Sequence, residues 1–351
     1  MRELWINKRL IADHAPAYVI AEIGANGSHD MEKNFAIIRA AKDSGASAVK
    51  LQTRTPKDLY AMRDVRGGYL WKSGNPHWMA ETYGAHREAL EFSPEQWKDI
   101  FEYCNDIQIT AFSTPFDFKS ADLLVSLKVP AFKIASGDAT NIPLITYVSQ
   151  FKKPVIVSTG GCSIDDVNRV SEALKYKQHA ILQCSCVYPA PDEVMNLNVV
   201  TTFRERFPET VIGLSTHNKS WIPSLAAYAL GARIFEHHFT VDKTWKGTDN
   251  NFSLNPDEMS AFVSALEQVR VALGSREKKC EEVEFAPTME RRKQVVAARK
   301  INKGEVFTKD MLAYKCPVDG GLPPYYSKTI LGMKAAADIE PETVLMGSHI
   351  A

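Results

Sequence analysis

The stretch VIGLSTHNKSWIPSLAAYALGARIFEHHF, residues 211–239, holds two apolar runs on either side of a segment long enough for one helix. The first run is VIGLST at 211–216 and the second is ARIFEHHF at 232–239, which together predict a strand, a helix and a parallel strand. His217 follows the first run, and His238 lies near the end of the second. Because neighbouring parallel strands end at the same edge, the stretch predicts two imidazoles side by side.

Six further runs of the same kind precede this stretch, and most are separated by segments that suit one helix and two short loops, such as 31–44 and 164–176. Eight apolar strands that alternate with helices predict a (β/α)8 TIM barrel. A doubly wound open sheet is the structural alternative, but it usually has fewer strands, and no G-x-G-x-x-G follows the first run. The six runs are AYVIAEI (17–23), AVKLQT (48–53), ITAFST (109–114), AFKIAS (131–136), PVIVSTG (154–160) and AILQCS (180–185).

The segment between the second and third predicted strands, residues 53–108, is longer than one crossover needs. It contains GGYLWKSGNPHWMAETYGAHREALEFS, rich in glycine, aromatic residues and histidine, before a helix predicted to begin near Ser93. Long loops in compact domains often bind ligands, so this segment is a candidate binding element or lid. A surface segment that packs against an oligomeric partner is the alternative.

The end of the chain departs from the alternation of strands and helices. A helix predicted at 256–273 closes the barrel, and a charged stretch follows it. We therefore divide the chain into a TIM-barrel catalytic domain at 1–275, a linker at 276–290 and a β-rich domain at 291–351. At about 60 residues, the last domain is near the lower limit for independent folding, so we expect it to dock on its own barrel or on that of a neighbouring subunit.

Composition excludes several classes of partner. Lysine plus arginine (42) equals aspartate plus glutamate (42), so we expect no nucleic acid and no anionic membrane surface as partner, and any anion must be bound locally. The first residues lack the apolar core of a signal peptide, and no apolar run reaches the ~20 residues that cross a bilayer. Since a single C-x-C pair at Cys184 and Cys186 is weak evidence for zinc, we interpret the six cysteines as free, mostly buried thiols and expect a cytoplasmic protein.

Polar residues recur at the ends of the predicted strands, which is where barrel enzymes place their working residues. Such residues would not fall at one end of every strand by chance, so the barrel and the site support each other. In chain order they are Glu22, Lys50, Gln52, Thr114, Lys133, Ser136, Ser158, Thr159, Cys186, Tyr188, Ser215, His217, Glu236 and His238.

Lys133 lies within the apolar run FKIASGD, where an ammonium group is costly unless it meets an anion. Three interpretations compete: a clamp for phosphate or carboxylate, a Schiff-base nucleophile, and a structural ion pair. The hydroxyls of Ser136 and Ser158 and the glycines beside them favour the clamp. Lys50 and Gln52 share one strand face by their two-residue spacing, and both suit a carboxylate or a hydroxyl.

His217 and His238 together are a candidate metal site, whereas His237 alternates to the other face of its strand and is expected to be structural. Imidazole with oxygen ligands suits Mn²⁺, Zn²⁺ or Fe²⁺, or Mg²⁺ if water completes the shell. The metal would polarise a carbonyl oxygen. The acidic candidates for proton transfer or for support of the metal ligands are Glu22, Glu236 and Asp249.

An ordered set of strings covers nearly the whole chain: AEIGAN, AVKLQT, FSTPFD, FKIASGD, VSTGG, LQCSCVYP, IGLSTH and EHHFTVDKTWKGTDN. The set resembles the sialic acid synthases, which condense phosphoenolpyruvate with N-acetylmannosamine or its 6-phosphate. The C-terminal domain likewise resembles the antifreeze-like (SAF) domain of that family, which caps the barrel of the partner subunit. The resemblance therefore implies a domain-swapped homodimer.

The resemblance also implies roles for individual residues. A divalent metal would bind His217 and His238; we expect Mn²⁺, with Mg²⁺ or Co²⁺ as alternatives. The catalytic set would be Glu22, Lys50, Lys133, His217 and Glu236, with Glu22 as the acid/base group. Phosphoenolpyruvate would contact Lys50, Thr114, Lys133, Ser136, Ser158, Tyr188 and Ser215. The residues near the sugar would be Gln52, Tyr83 and Asp249. The enol carbon would attack the aldehyde, water would add, and phosphate would leave by C–O cleavage.

Several positions depart from the family pattern, mostly on the sugar side: Asn26-Gly27-Ser28-His29, Cys186, Thr216, Asn250, Asn255 and Cys316. We hypothesise that the condensation is retained and that the aldehyde partner differs or is held differently. Two other functions compete with this one. The first is a Schiff-base aldolase or lyase that uses Lys133. The second is a non-catalytic sugar-binding relative, which the retention of both lysines and both histidines argues against.

Overall fold

The computed structural model describes residues 2–175, 177–316 and 320–351. The chain forms two compact units, Met1–Gly274 and Ser275–Ala351. Among the described residues, no helix is both long enough and apolar enough to span a membrane.

The first unit begins with an antiparallel hairpin, β1 (Glu3–Ile6) and β2 (Arg9–Ala12), which the sequence patterns above do not predict. Asn7 and Lys8 connect the strands with φ of 46° and 66°, as a two-residue hairpin turn requires. The side chains of Leu4, Ile6 and Ile11 in the hairpin are buried in the barrel core, whereas Trp5 is exposed. Asn7 Nδ2 also donates to Oγ1 of Thr110, the first residue of a barrel strand, at 3.1 Å. The hairpin therefore lies at the amino ends of the strands, opposite the predicted site.

Eight parallel strands follow, each within two residues of a predicted run: β3 (Tyr18–Glu22), β4 (Ala48–Thr53), β5 (Thr110–Pro115), β6 (Phe132–Ile134), β7 (Val155–Ser158), β8 (His179–Cys184), β9 (Val211–Thr216) and β10 (Ile234–His238). Each strand pairs with the next along the chain, and β10 pairs with β3 to close the barrel. The predicted TIM barrel is confirmed.

In the described part of the first unit, ten helices connect or follow these strands: α1 (Met31–Asp43), α2 (Pro56–Leu59), α3 (Tyr83–Glu88), α4 (Pro94–Asp106), α5 (Phe118–Ser126), α6 (Ile142–Ser149), α7 (Ile164–Ala173), α8 (Val199–Arg206), α9 (Ile222–Ala229) and α10 (Pro256–Leu273). Ser93 begins α4 as predicted, because its side chain accepts from the Gln96 amide while the Gln96 side chain accepts from Ser93 N. The predicted end of α7 at Tyr176 lies outside the described residues.

The strands are apolar throughout because they are covered on both faces, by packed side chains inside the barrel and by helices outside. The polar exceptions lie near the carboxyl ends of the strands. There the pairing places Glu22 of β3 level with Lys50 of β4 on one side and with His238 of β10 on the other. Glu236 of β10 lies level with Ser215 of β9. The strand register thus assembles one group of polar side chains from separate parts of the chain.

The second unit is built around a small antiparallel sheet of β11 (Gln294–Ala297) and β12 (Leu312–Lys315). Isolated bridges such as Ile301 with Ile339 extend the pairing, and Val295, Phe307 and Leu345 are among the side chains of a separate apolar core. Its described residues also form two short helices, α11 (Glu282–Met289) and α12 (Ser327–Ile330). Helix α11 lies within the stretch predicted as a linker.

The six cysteines are free, but the expectation that most are buried is wrong. Cys104 and Cys184 are buried and Cys162 is partly buried. The three exposed cysteines are Cys186, Cys280 and Cys316. Cys186 is exposed because it follows the end of β8 rather than continuing the strand, so the alternation of faces no longer applies to it.

Candidate active site

A cavity of about 520 Å³ lies at the carboxyl ends of the barrel strands. Three of the predicted strand-end residues, Thr114, Thr159 and Cys186, do not line it. Thr114 is fully buried, and its Oγ1 accepts from Lys50 Nζ at 3.0 Å. Thr114 therefore supports a lysine instead of facing the cavity. The predicted residues that line the cavity are Glu22, Lys50, Gln52, Tyr83, Lys133, Ser136, Ser158, Tyr188, Ser215, His217, Glu236, His238 and Asp249.

Glu22 and Lys50 form an ion pair in the cavity wall, with Lys50 Nζ 2.8 Å from Glu22 Oε2. The other oxygen of Glu22 accepts a hydrogen bond from Gln52 Nε2 at 2.7 Å. Both charged side chains are almost completely buried. Glu22 is thus held in one orientation by two neighbours, as a group that transfers a proton at a fixed position must be.

Lys133 is also buried, and its ammonium group donates to Ser158 Oγ at 2.7 Å and to the Ile134 carbonyl at 2.9 Å. Burial lowers the pKa of Lys133, and the nearby charge of Lys50 lowers it further, against the opposing effect of Glu236. The positive charge of Lys133 is therefore less fully balanced by nearby carboxylates than the positive charge of Lys50.

Glu236 lies between the two lysines. Its Oε1 is 3.7 Å from Lys50 Nζ and its Oε2 is 3.8 Å from Lys133 Nζ. Burial alone would raise the pKa of Glu236, but Lys133 and Lys50 lower it below its ordinary value, so the carboxyl group is ionised. Burial likewise opposes the charge of Lys50, whose pKa is nevertheless raised by Glu22 and Glu236. Two buried cations share Glu236 at distances longer than a hydrogen bond, which leaves both able to bind an incoming anion.

The turns after β6 and β7 meet beside these lysines. Ser136 Oγ accepts a hydrogen bond from the amide of Gly160 at 2.9 Å. A Cβ atom on Gly160 would lie 2.5 Å from Cys186 Sγ and 2.9 Å from Ser136 Oγ, so only glycine fits. Close packing of two turns with hydroxyls and amides beside two lysines suits an oxyanion such as phosphate.

His217 presents one ring nitrogen to the cavity in a defined tautomer. Its Nδ1 lies 2.9 Å from the Ser185 carbonyl, which can only accept, so Nδ1 carries the proton and Nε2 keeps its lone pair. Burial lowers the pKa of His217 to about 4, and this keeps the ring neutral. The exposed Tyr188 ring covers one side of the imidazole at a centroid distance of 3.8 Å.

His238 lies beside His217, with ring centroids 5.4 Å apart. Its Nδ1 is buried without a hydrogen-bond partner, 3.7 Å from Asp249 Oδ2. A neutral His217 with a free Nε2, next to a second imidazole with an unused nitrogen, fits a divalent metal of the Mn²⁺ or Zn²⁺ class, with water completing the shell. The described residues contain no group of three or more histidine, cysteine or acidic side chains arranged to hold a metal, so protein ligands beyond the imidazoles are few.

His237 occupies the opposite face of β10, as the strand alternation predicts. Its Nε2 lies 2.8 Å from Ser224 Oγ, and its ring packs against Phe262 at 4.9 Å. Burial lowers its pKa to about 3. The residue is a neutral part of the layer between barrel and helices and takes no part in the cavity.

The cavity also contains residues that the sequence analysis missed: Arg54, Tyr60, Arg87, Phe116 and Cys184. The first three belong to the long segment after β4, which therefore forms part of the cavity wall. One available signal was the position of Arg54, which continues the spacing of Lys50 and Gln52 by two residues. No sequence pattern indicates that Arg87 of α3 folds back over the same strand end.

Three of the positions that depart from the family pattern, Asn26, Asn250 and Asn255, make structural contacts. Asn26 Nδ2 donates to the Phe239 carbonyl and to Ser253 Oγ, both at 2.9 Å, and Asn250 Oδ1 accepts from Thr240 Oγ1 at 2.6 Å. Asn255 caps α10 through the Glu258 amide. These amides fasten the loop after β10 to the loop after β3 and so fix that wall of the cavity.

Comparison with known proteins identifies the family of this chain. Residues 37–278 match the NeuB family, and residues 292–351 match the SAF domain. The chain belongs to the NeuB family. The human N-acetylneuraminate-9-phosphate synthase is 34% identical over 340 residues, which are 96% of this chain and 94% of the human protein.

Two further NeuB relatives extend the comparison. The pseudaminic acid synthase of Campylobacter jejuni is 33% identical over 332 residues, covering 92% of this chain and 93% of the relative. The crystal structure of N-acetylneuraminic acid (sialic acid) synthetase from Leptospira borgpetersenii in complex with citrate superimposes with a TM-score of 0.71 and 27% identity, over 83% of this chain and 98% of that one. This NeuB chain is an enzyme of the sialic acid synthase family.

Proposed function

We propose that this enzyme condenses phosphoenolpyruvate with an N-acetylmannosamine-type aldose, free or 6-phosphorylated. Water is consumed, and the products are a nine-carbon 3-deoxy-2-keto sugar acid and phosphate. The names of the NeuB relatives support this class of product. The observation that carries the proposal is the arrangement of Lys50 and Lys133 on either side of Glu236, 3.7 and 3.8 Å from its oxygens.

Phosphoenolpyruvate has a carboxylate and a phosphate separated by two bonds, so it needs two adjacent cationic contacts. Lys133 with Ser158 and the Ser136–Gly160 contact form one such group, and Lys50 forms the other. Because all these groups are buried or nearly buried, they attract an anion more strongly than they would in water. We propose that the phosphate lies at Lys133 and the carboxylate at Lys50.

In the proposed reaction, the enol C3 of phosphoenolpyruvate forms a bond to the aldehyde carbon, and C2 becomes electron-poor. Water adds to C2, the C2–O bond to phosphate breaks, and a keto group forms. One water proton ends on the new hydroxyl of the sugar and the other on the released phosphate. Glu22 is the proposed proton carrier, since its two oxygens are already oriented by Lys50 and Gln52.

His217 and His238 are the proposed metal ligands. A divalent metal there, expected to be Mn²⁺ with Mg²⁺ or Co²⁺ as alternatives, would supply Lewis acidity toward the aldehyde oxygen. The residues contribute a neutral imidazole with a fixed tautomer at His217 and an unused ring nitrogen at His238. Asp249 Oδ2 lies 3.7 Å from that same nitrogen, His238 Nδ1. We also propose that the enzyme is cytoplasmic and that it forms a domain-swapped dimer through its SAF domain.

The test uses phosphoenolpyruvate labelled with ¹⁸O in the bridging oxygen, Mn²⁺, and a panel of mannosamine derivatives and mannose 6-phosphate. Label in the released phosphate is expected, because the C–O bond breaks. Label in the keto product would overturn the mechanism, and no phosphate with any acceptor would overturn the function. Borohydride trapping with pyruvate separates the alternative lyase: covalent mass on Lys133 supports the lyase, and its absence supports the synthase.

A further inference from the structure

The end of the cavity away from Lys133 contains two guanidinium groups, those of Arg54 and Arg87, for which the proposed chemistry at the lysines has no use. Arg54 is buried, and Arg87 is partly buried with its Nε atom fully enclosed. A buried guanidinium group is costly unless its donors meet acceptors. The partners of these two groups therefore indicate what the site binds.

Arg54 is held in place by the protein itself. Its Nε is 3.4 Å from Glu91 Oε1, one terminal nitrogen donates to Gln52 Oε1, and its guanidinium carbon lies 4.5 Å from the centre of the Phe116 ring. Glu91 is a weak counter-charge, since burial raises its pKa to about 7. The guanidinium group is thus oriented by its neighbours, and its positive charge is only partly compensated near neutral pH.

Arg87 has fewer partners. One terminal nitrogen donates to the Tyr83 hydroxyl at 3.1 Å, and its guanidinium carbon lies 5.1 Å from the centre of the same ring. Its buried Nε donates to nothing, and among the described residues no carboxylate lies close enough to form an ion pair with it. The carboxylate that acts on Arg87 from a distance is that of Asp249, which instead lies 3.7 Å from His238 Nδ1. Arg87 therefore has unused donors at the cavity wall.

These guanidinium groups form a site separate from that of the lysines. Lys50, Gln52 and Arg54 follow one another at two-residue spacing on one face of the extended chain, so the Cα atoms of Lys50 and Arg54 are about 13 Å apart. Between them, Gln52 donates to Glu22 and accepts from Arg54. An anion held at Arg54 and one held at Lys50 therefore belong to different molecules or to opposite ends of a long one.

We propose that Arg87, with Tyr83 and Arg54, forms a subsite for a phosphate monoester on the acceptor sugar, at the end remote from the aldehyde. The inference rests on the proposed condensation and decides which of its two acceptors, free or phosphorylated, the cavity fits. Guanidinium groups suit phosphate because their planar donors can engage two oxygens at once, and a tyrosine hydroxyl can engage a third.

The experiment compares N-acetylmannosamine with its 6-phosphate, first by steady-state kinetics and then by calorimetric binding in the absence of phosphoenolpyruvate. The wild type should prefer the phosphorylated sugar by about 10- to 100-fold in both kcat/KM and affinity, the range expected for charge-assisted hydrogen bonds. Arg87→Ala should lose most of that preference, and Arg87→Lys should restore part of it. The KM for phosphoenolpyruvate should change much less, which distinguishes the acceptor phosphate from that of phosphoenolpyruvate.

Lys57→Ala is the matched control, because it removes an exposed cation that lies beside the same segment and does not line the cavity. It should leave the preference unchanged. Equal binding of both sugars by the wild type, or a preference that Arg87→Ala leaves intact, would overturn the subsite. If turnover fails with every acceptor, the proposed function falls, while the binding comparison still decides the subsite. Circular dichroism of Arg87→Ala checks that the variant is folded.

Discussion

Lys50 and Glu22 lie directly opposite each other on β4 and β3, and their side chains meet at 2.8 Å with almost no exposure to solvent. The pairing follows from strand register alone. A shift of either strand by one residue would turn its charge away from the cavity into the apolar layer under the helices and would leave the other charge unpaired. The same register that closes the barrel therefore also sets the electrostatics of the site.

Replacing one partner of this ion pair should destabilise the protein more than replacing both. Lys50→Met and Glu22→Leu are each expected to cost about 3 kcal/mol of unfolding free energy, since each leaves a buried charge with a lost partner. The double variant should cost less than the sum of the two, with a coupling of more than about 1 kcal/mol. Urea unfolding measures all four proteins, and strictly additive costs would contradict the prediction.

Gly160 is expected to tolerate no side chain. Gly160→Ala places Cβ 2.5 Å from Cys186 Sγ, so we expect a loss of about 1–3 kcal/mol from overpacking. Adding Cys186→Ala should recover part of that loss, because the sulfur is removed. Gly137→Ala is the control in the neighbouring turn, where an added Cβ meets no atom within 4 Å. Thermal unfolding compares the variants, and equal losses at both glycines would count against this packing.

Acid should destabilise the protein partly through His86. Burial and the charges of Arg87 and Arg54 lower its pKa to about 4, and its Nδ1 accepts from the Met79 amide. His86 binds a proton more weakly in the folded state than in the unfolded state. The contribution of neutral His86 to the unfolding free energy is therefore fully present above pH 6.5 and is lost as pH falls toward 4.

His86→Gln keeps an acceptor for the Met79 amide but does not titrate. Between pH 6.5 and 4, the unfolding free energy of this variant should therefore vary less with pH than that of the wild type. The two slopes should differ by up to about 1.4 kcal/mol per pH unit. His77→Gln, at an exposed position of the same segment, is the control and should follow the wild type. Chemical denaturation across this pH range provides the measurement, and identical slopes for wild type and His86→Gln would refute the assignment.

Cys186 should be the most readily alkylated cysteine at neutral pH. A hydrogen bond from the Cys184 thiol lowers the pKa of Cys186 to about 6; Ser136 and Lys133 lower it further, and partial loss of hydration opposes them. Its reaction rate with iodoacetamide should rise with pH to a midpoint near 6, as followed by peptide mass spectrometry. Cys184→Ala should move that midpoint upward. A midpoint near 9 in both proteins would show that no such hydrogen bond acts.

Much of the fold and most of the site are predictable from sequence, because the barrel imposes a simple rule. Lys50, Lys133 and Glu236 are charged residues within apolar runs, and such residues are tolerated only where strands end at a polar cavity. The alternation of β10 likewise separates His237 from His238 correctly. These inferences need only the period of a strand and the direction of the sheet.

The parts that could not be predicted depend on contacts between distant segments. Arg87 belongs to a short helix within a long segment, and nothing local in the sequence indicates that it reaches the same cavity as Lys50. Thr114 has the position of a substrate ligand, but the length of the Lys50 side chain places the ammonium group between it and the cavity. The N-terminal hairpin is too short for its four-residue strands to show a clear period.

The closure of the barrel has a consequence for synthesis. β3 is among the first strands to leave the ribosome, yet its second neighbour in the ring is β10, which emerges only when most of the first unit has been made. Until then, one edge of β3 has no hydrogen-bonding partner, and such an edge can pair with other chains. A nascent chain that stalls before β10 should therefore depend on chaperones, and late pairing across the ring should limit the rate of refolding.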